Sequence, residues 1–339
     1  MTSSWFVPRT TGPRRPRFGS HDRRLEIDLV NTRTEDNHTW DGMIFRPREG
    51  NPHRRRLGVL VIHGSVGNYL TGVPRRISFG LANAGYTVLS ANTRMANYGV
   101  IFGGGLMHRT PLDIEAALAV LRRRGFSRIV VLGFSMGSTM VVHHFVTRQP
   151  ADVVGVCTVA HPASLPDALR LRWRHFGAAP GYEEVTERVR TALAPNFESP
   201  DRDRIFQVRR ARGFGERPLH SEVWTYRTWW FARGPEADHA ISRLQVGDVS
   251  VPLAIIQAGE DELVHEHEGA QLEQLARQGG CPSVLHEIIP GADHVFAGQD
   301  EPLIEAVVGW LDARLDDDTP APPRADENRW ETPRRADRP

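Results

Sequence analysis

Residues 128–148 read RIVVLGFSMGSTMVVHHFVTR. Arg128–Leu132 is a short, almost wholly apolar run bounded by a glycine, which suits a strand buried on both faces of a parallel sheet. Met136–Arg148 has the length and content of a helix. Between them Gly133-Phe134-Ser135-Met136-Gly137 fits G-x-S-x-G in the strand–turn–helix setting that gives the motif meaning. The turn is sharp, so it strains the backbone at Ser135 and lifts the hydroxyl above the sheet edge. Side chains at 133 and 137 would collide there. The helix also aims its free N–H groups and positive dipole end at developing negative charge. The bland alternative is a small-residue turn with an idle serine; the flanking strand and helix argue against it.

The same alternation extends in both directions. Leu25–Val30 and Met43–Arg46 read as an antiparallel pair around a polar turn near Asp36. Gly58–Ile62 (GVLVI) is a continuous apolar strand, followed by a helix near Pro74–Ala84 and a strand at Thr87–Ala91. A helix spans Pro111–Arg124, with Thr110 as N-cap and Pro111 at its first position. Val153–Ala160 is a strand. From His161 to Asp248 the rhythm breaks into helical or irregular sequence crowded with aromatics. It resumes with a strand at Pro252–Gln257, a helix at Glu266–Arg277, a strand at Val284–Ile289 and a helix at Pro302–Leu315. Such alternation predicts an α/β fold, a mostly parallel central sheet flanked by helices. Its core covers 23–160 and 249–315, with an inserted, mainly helical cap at 161–248. Residues 1–22 read as a loose N-terminal arm and 316–339 as a disordered tail.

A serine hydroxyl needs a base within hydrogen-bond reach and a carboxylate to orient that base. Of 15 histidines, His294 lies in PGADHVF, directly after the last strong strand and before the final helix. His286 sits inside a strand, and His265 and His267 follow the acid loop too closely. The base is therefore read as His294. The strand PLAIIQ runs into AGEDELV, where Asp261 is the favoured acid and Glu260 or Glu262 could replace it. His63-Gly64-Ser65 follows GVLVI, and a glycine there lets a backbone N–H approach a substrate oxygen. Ser65 and Met136 are read as oxyanion donors through their backbone N–H groups, with Val66 the alternative in the loop. In WTYRTWWF (224–231) and the following Arg233, Trp229 and Trp230 could line an acyl pocket and Arg233 could meet a substrate carboxylate. Equally, the aromatics could anchor the cap to the main domain.

Composition narrows the rest. The 339 residues carry a formal net charge of +1, which recruits neither nucleic acid nor a membrane surface. All 42 basic residues are arginine. Without lysine there is no Schiff-base nucleophile, no pyridoxal phosphate aldimine and no phosphate-loop lysine. Two distant cysteines, Cys157 in an apolar run and Cys281, make neither a disulfide framework nor a metal site. No apolar run suits a signal peptide or a membrane span, so the chain reads as cytoplasmic. No cofactor and no metal are expected; His143 and His144 read as packing and surface residues.

GFSMG, HGS, AGEDELV and PGADHVF together resemble the α/β-hydrolase superfamily over about residues 22–315. PGADHVF and the His161-Pro162 pair look like dienelactone-hydrolase-like members, which puts His161 among the substrate-binding candidates. The aromatic insertion looks like the caps of larger esterases. Dienelactone hydrolases proper use a cysteine nucleophile, so a serine at 135 shifts the expectation towards esters, thioesters or lactones. The resemblance implies a serine esterase with an ordered triad, an oxyanion hole and a capped pocket for a small-molecule acyl substrate. Alternatives are an acyltransferase or cyclase, a peptidase, a carbon–carbon bond hydrolase, or a non-catalytic ligand-binding member of the fold.

Overall fold

In the computed structural model, eight strands form the central sheet: β1 (Leu25–Arg33), β2 (Thr39–Pro47), β3 (Gly58–Ile62), β4 (Thr87–Ala91), β5 (Ile129–Phe134), β6 (Val153–Val159), β10 (Leu253–Ala258) and β11 (Val284–Ile289). Their order is β1-β2-β4-β3-β5-β6-β10-β11. The six strands from β4 to β11 pair in parallel, while β1 and β2 are antiparallel at one edge. The structure describes residues 25–48, 53–65, 67–97, 99, 103–194, 199–211 and 221–314. The expected N-terminal arm and the C-terminal tail lie outside these residues.

The apolar runs are buried on both sides, as continuous hydrophobicity requires. In β3, Leu60 and Ile62 join one apolar layer while Val59 and Val61 join the other. Ile129 and Val131 of β5 face the first layer, Val130 and Leu132 the second. Helices α1 (Gly72–Asn83) and α8 (Asp300–Asp312) cover the second layer; α2 (Thr110–Arg123), α3 (Met136–Arg148) and α7 (Glu266–Gln278) cover the first. Thr110 is the first residue of α2 rather than its N-cap, because a 3-10 turn at Met107–Arg109 leads directly into the helix and the Thr110 hydroxyl donates to Met107 O at 2.8 Å.

Between β6 and β10 run α4 (Leu165–His175), α5 (Tyr182–Leu193) and α6 (Tyr226–Arg233), with a small antiparallel sheet of β7 (Ala178–Ala179), β8 (Ile205–Arg210) and β9 (Ser221–Thr225). This sheet is not legible as strand in the sequence. In IFQVRR the exposed positions Ile205, Gln207 and Arg209 alternate with buried Phe206, Val208 and Arg210, and the inward arginine disguises the period of two. Trp173, Trp229 and Val208 belong to the same apolar cluster as Met140 and Val141 of α3. The segment therefore shares its packing with the sheet and helices beneath. Among the described residues no helix is long and apolar enough to cross a membrane.

Candidate active site

Ser135 caps α3 with φ 53° and ψ −120°, a left-handed-side conformation that costs a non-glycine residue free energy. Its surroundings enforce it. Ser135 N donates to Val159 O at 2.8 Å, and Ser138 Oγ donates to Gly133 O at 2.7 Å, tying the first turn of α3 to the ends of β5 and β6. A Cβ at Gly137 would lie 2.5 Å from His63 O and 2.6 Å from Ile62 O, and one at Gly133 would strike the Gly137 carbonyl. Gly137 thus lets α3 start hard against the end of β3, and Gly133 lets its first turn close on the end of β5.

His294 Nε2 is 3.1 Å from Ser135 Oγ, and His294 Nδ1 is 3.0 and 2.9 Å from the two carboxylate oxygens of Asp261. The histidine and aspartate side chains are 8% and 2% exposed, so the chain of contacts is shielded from water. Asp261 Oδ1 also accepts the N–H groups of Leu263 and Val264, at 2.8 and 2.9 Å. The competing carboxylates have other places. Glu262 Oε2 accepts His294 N–H at 3.0 Å and braces the histidine loop, while the Glu260 side chain is exposed and its N–H donates to Ala292 O at 2.8 Å.

His63 is fully buried. Its Nε2 accepts Thr93 N–H at 3.1 Å, which leaves Nδ1 as the protonated nitrogen, donating to Gly64 O at 2.8 Å. Burial pushes its pKa down to about 4, so the ring is a neutral strut between the loops after β3 and β4. That strut holds Gly64-Ser65 beside Ser135; a Cβ on Gly64 would lie 3.2 Å from Ser135 Cβ. Met136 N–H, in the first turn of α3, has no acceptor within the helix. Both expected oxyanion donors therefore belong to backbone next to Ser135. Val66 lies outside the described residues.

A cavity of about 260 Å³ opens on Ser135 and His294, with Ser65, Leu165, Leu169 and Arg233 in its wall. Of the four expected substrate-contacting residues, the structure brings only Arg233 to this cavity. Trp229 is fully buried among Trp173, Tyr182, Phe206 and Trp230, and Trp230 is buried under the guanidinium of Arg190. Both hold the inserted segment together, because aromatics of that size stabilise most where they are wholly enclosed. His161 is fully buried and bonds Ser242 Oγ at 2.8 Å; burial lowers its pKa to about 3. His143 and His144 are both buried, against Gln245 and Glu115 respectively, so neither is a surface residue.

Among the cavity-wall residues outside the sequence expectations are two arginines, Arg172 on α4 and Arg210 on β8. Each carries a readable signal nonetheless. Arg172 falls three residues after Leu169 and seven after Leu165, on the apolar stripe of its helix. Arg210 continues the buried alternation Phe206, Val208.

A family model described as the alpha/beta hydrolase family matches residues 59–306. Among solved structures, the chain is similar to the Pyrococcus furiosus esterase Pf2001, at 18% identity and TM-score 0.59, covering 91% of this chain and 96% of that one. It is similar to Est1E from Butyrivibrio proteoclasticus at 15% identity and TM-score 0.55, covering 84% and 98%. A puromycin-hydrolyzing peptidase of Mycobacterium tuberculosis shares the fold at 13% identity and TM-score 0.55, over 86% of this chain and 40% of that one. No curated protein matches the sequence.

Proposed function

The chain belongs to the alpha/beta hydrolase family, and we propose that within it this protein is a serine esterase acting through an acyl-enzyme on Ser135. One observation carries the reading: the run Asp261–His294–Ser135, with contacts of 2.9 and 3.1 Å, ends on a serine held in a strained turn at a helix start. His294 takes the hydroxyl proton as Ser135 attacks the ester carbonyl. The oxyanion is met by the N–H groups of Ser65 and Met136, where fixed donors stabilise charge that develops only in the transition state. His294 returns the proton to the departing alcohol. It then takes one from the water that attacks the acyl-enzyme, and passes it to Ser135 Oγ as the acid leaves. Asp261 holds the ring in the tautomer this requires and stabilises the imidazolium. The likeness to Pf2001, named as an esterase, supports the ester as the bond cleaved. The segment 161–248 acts as the cap of this site, since Leu165, Leu169 and Arg233 wall the cavity.

Hydrolysis of short 4-nitrophenyl esters tests the assignment. Ser135→Ala and Asp261→Asn each lower kcat/KM by about 10⁴-fold or more. Glu262→Gln keeps an acceptor for the His294 N–H and costs no more than about tenfold, roughly one hydrogen bond to a charged group. Undiminished turnover by folded Ser135→Ala protein would refute the reading. An equal loss in Glu262→Gln and Asp261→Asn would move the acid role away from Asp261.

A further inference from the structure

The wall of the cleft facing Ser135 is cationic. Arg172, Arg210 and Arg233 all line the cavity that holds Ser135 and His294. Glu222 on β9 meets both Arg172 and Arg210. Its Oε1 accepts from Arg172 at 3.1 Å and also from Arg210, and its Oε2 accepts from Trp224 Nε1 at 3.3 Å. Burial opposes the charge on Glu222, but Arg172 and Arg210 outweigh it and hold the pKa at about 2. The carboxylate is thus already committed.

Arg233 is the least provided for. It is 3% exposed, and no carboxylate among the described residues lies within ion-pair distance of it. Its guanidinium lies over the Trp224 ring and donates to Ser65 Oγ at 2.6 Å, Leu165 O at 3.5 Å and Met136 Sδ at 3.7 Å. Its Nε and that of Arg172 have no acceptor among the described residues. Burial first, then the charge of Arg172, lowers the pKa of Arg233 to about 9. A network built only to tie α4, β8 and β9 together would not leave buried donors open and charge uncompensated, since native interiors pair nearly all such groups.

We propose that Arg233 and Arg172, with Arg210, form an anion subsite inside the cleft, and that the ester cleaved at Ser135 carries a carboxylate lodged there. Planar guanidinium groups suit a carboxylate, which can accept from two of them at once. A cavity of about 260 Å³ limits the substrate to a short chain, such as the half-ester of a small dicarboxylic acid. The anion completes the missing acceptors and fixes the ester relative to Ser65, whose hydroxyl Arg233 already holds. The proposal rests on Ser135 as nucleophile only for its substrate; the subsite itself exists whether or not the serine reacts.

Monomethyl adipate and dimethyl adipate differ by one charge at nearly the same length, and two measurements with them separate the claims. Ser135→Ala protein, whose cationic wall is unaltered, is titrated calorimetrically with each; monomethyl adipate binds at least tenfold tighter. The wild-type enzyme then shows at least a tenfold higher kcat/KM for the half-ester, and Arg172→Gln brings that ratio close to one. Equal binding of the two esters by Ser135→Ala protein overturns the subsite even if both are hydrolysed, whether or not the arginine variant folds. A ratio unchanged in folded Arg172→Gln protein also overturns it. Selective binding with no turnover by wild type sustains the subsite and instead refutes the esterase reading.

Discussion

Arg94 and Arg233 are buried to nearly the same degree, 5% and 3% exposed, on opposite sides of the boundary between the sheet and the segment that covers it. Arg94, at the end of β4, donates to both oxygens of Asp113 and both of Asp36, at 2.7–3.2 Å. Arg233, at the end of α6, has one hydroxyl, one distant carbonyl, a thioether sulfur and an open Nε. The first is a finished structural brace. The second is an incomplete one, in the wall of the cavity that holds Ser135. The sheet side pairs its buried charges around the candidate triad, and the covering side leaves charge unpaired towards the cleft. Removing an arginine from each region should therefore differ in kind: loss of Arg94 strands the buried carboxylate of Asp113, while Asp36 keeps Arg109, whereas loss of Arg233 relieves uncompensated charge.

Packing, unlike polar pairing, does not distinguish the two regions, because one apolar cluster runs through both. Acid is the strongest test of that unity. Burial lowers the pKa of His63 to about 4 within the sheet side, of His161 to about 3, and of His108 and His143 at the seam to about 4. Rings at the seam stand close, with His108–His239 and His143–His239 centroids 5.6 and 5.7 Å apart. Folded pKa values below the unfolded 6.5 mean that the unfolded chain binds more protons in that window, so stability falls as pH drops from about 6.5 towards 4. Between pH 7 and 5 each such histidine costs about 2 kcal/mol by linkage. Melts at these two pH values should show tryptophan fluorescence and far-UV circular dichroism falling together, at a clearly lower temperature at pH 5. Separated transitions would mean that the covering segment lets go on its own.

A smaller effect comes from the centre of the aromatic group. Trp229→Ala removes a fully buried ring and should cost about 3–5 kcal/mol. With a shared core the single urea transition moves to lower concentration. A new early transition, with the original midpoint unchanged, would show the segment to be a detachable lid.

Much of this is readable in the sequence alone. Strands β3, β5 and β10 declare themselves because a strand enclosed on both faces must be apolar throughout. Ser135 and His294 stand out as candidates by local motif and chain order, which the fold imposes. Less legible is everything that depends on how the covering segment folds. WTYRTWWF suggests a pocket lining, yet Trp229 and Trp230 are interior, since a tryptophan's chemistry is the same whether it lines a cavity or fills a core. The arginines behave oppositely. Arg172 and Arg210 look like solvated surface by type, and only their register on α4 and β8 points inward. Asp261 is favoured over Glu260 and Glu262 already in the sequence, but which of the three meets His294 is visible only with the loop in three dimensions, because all three carboxylates leave the same strand end at consecutive positions.

Activation of Ser135 as a nucleophile is tested most directly by intact-protein mass measurement after treatment with a fluorophosphonate. A single adduct on Ser135 is predicted in the wild type, absent from Ser135→Ala and from His294→Ala. An adduct on another residue, or none on folded wild-type protein, would contradict that activation.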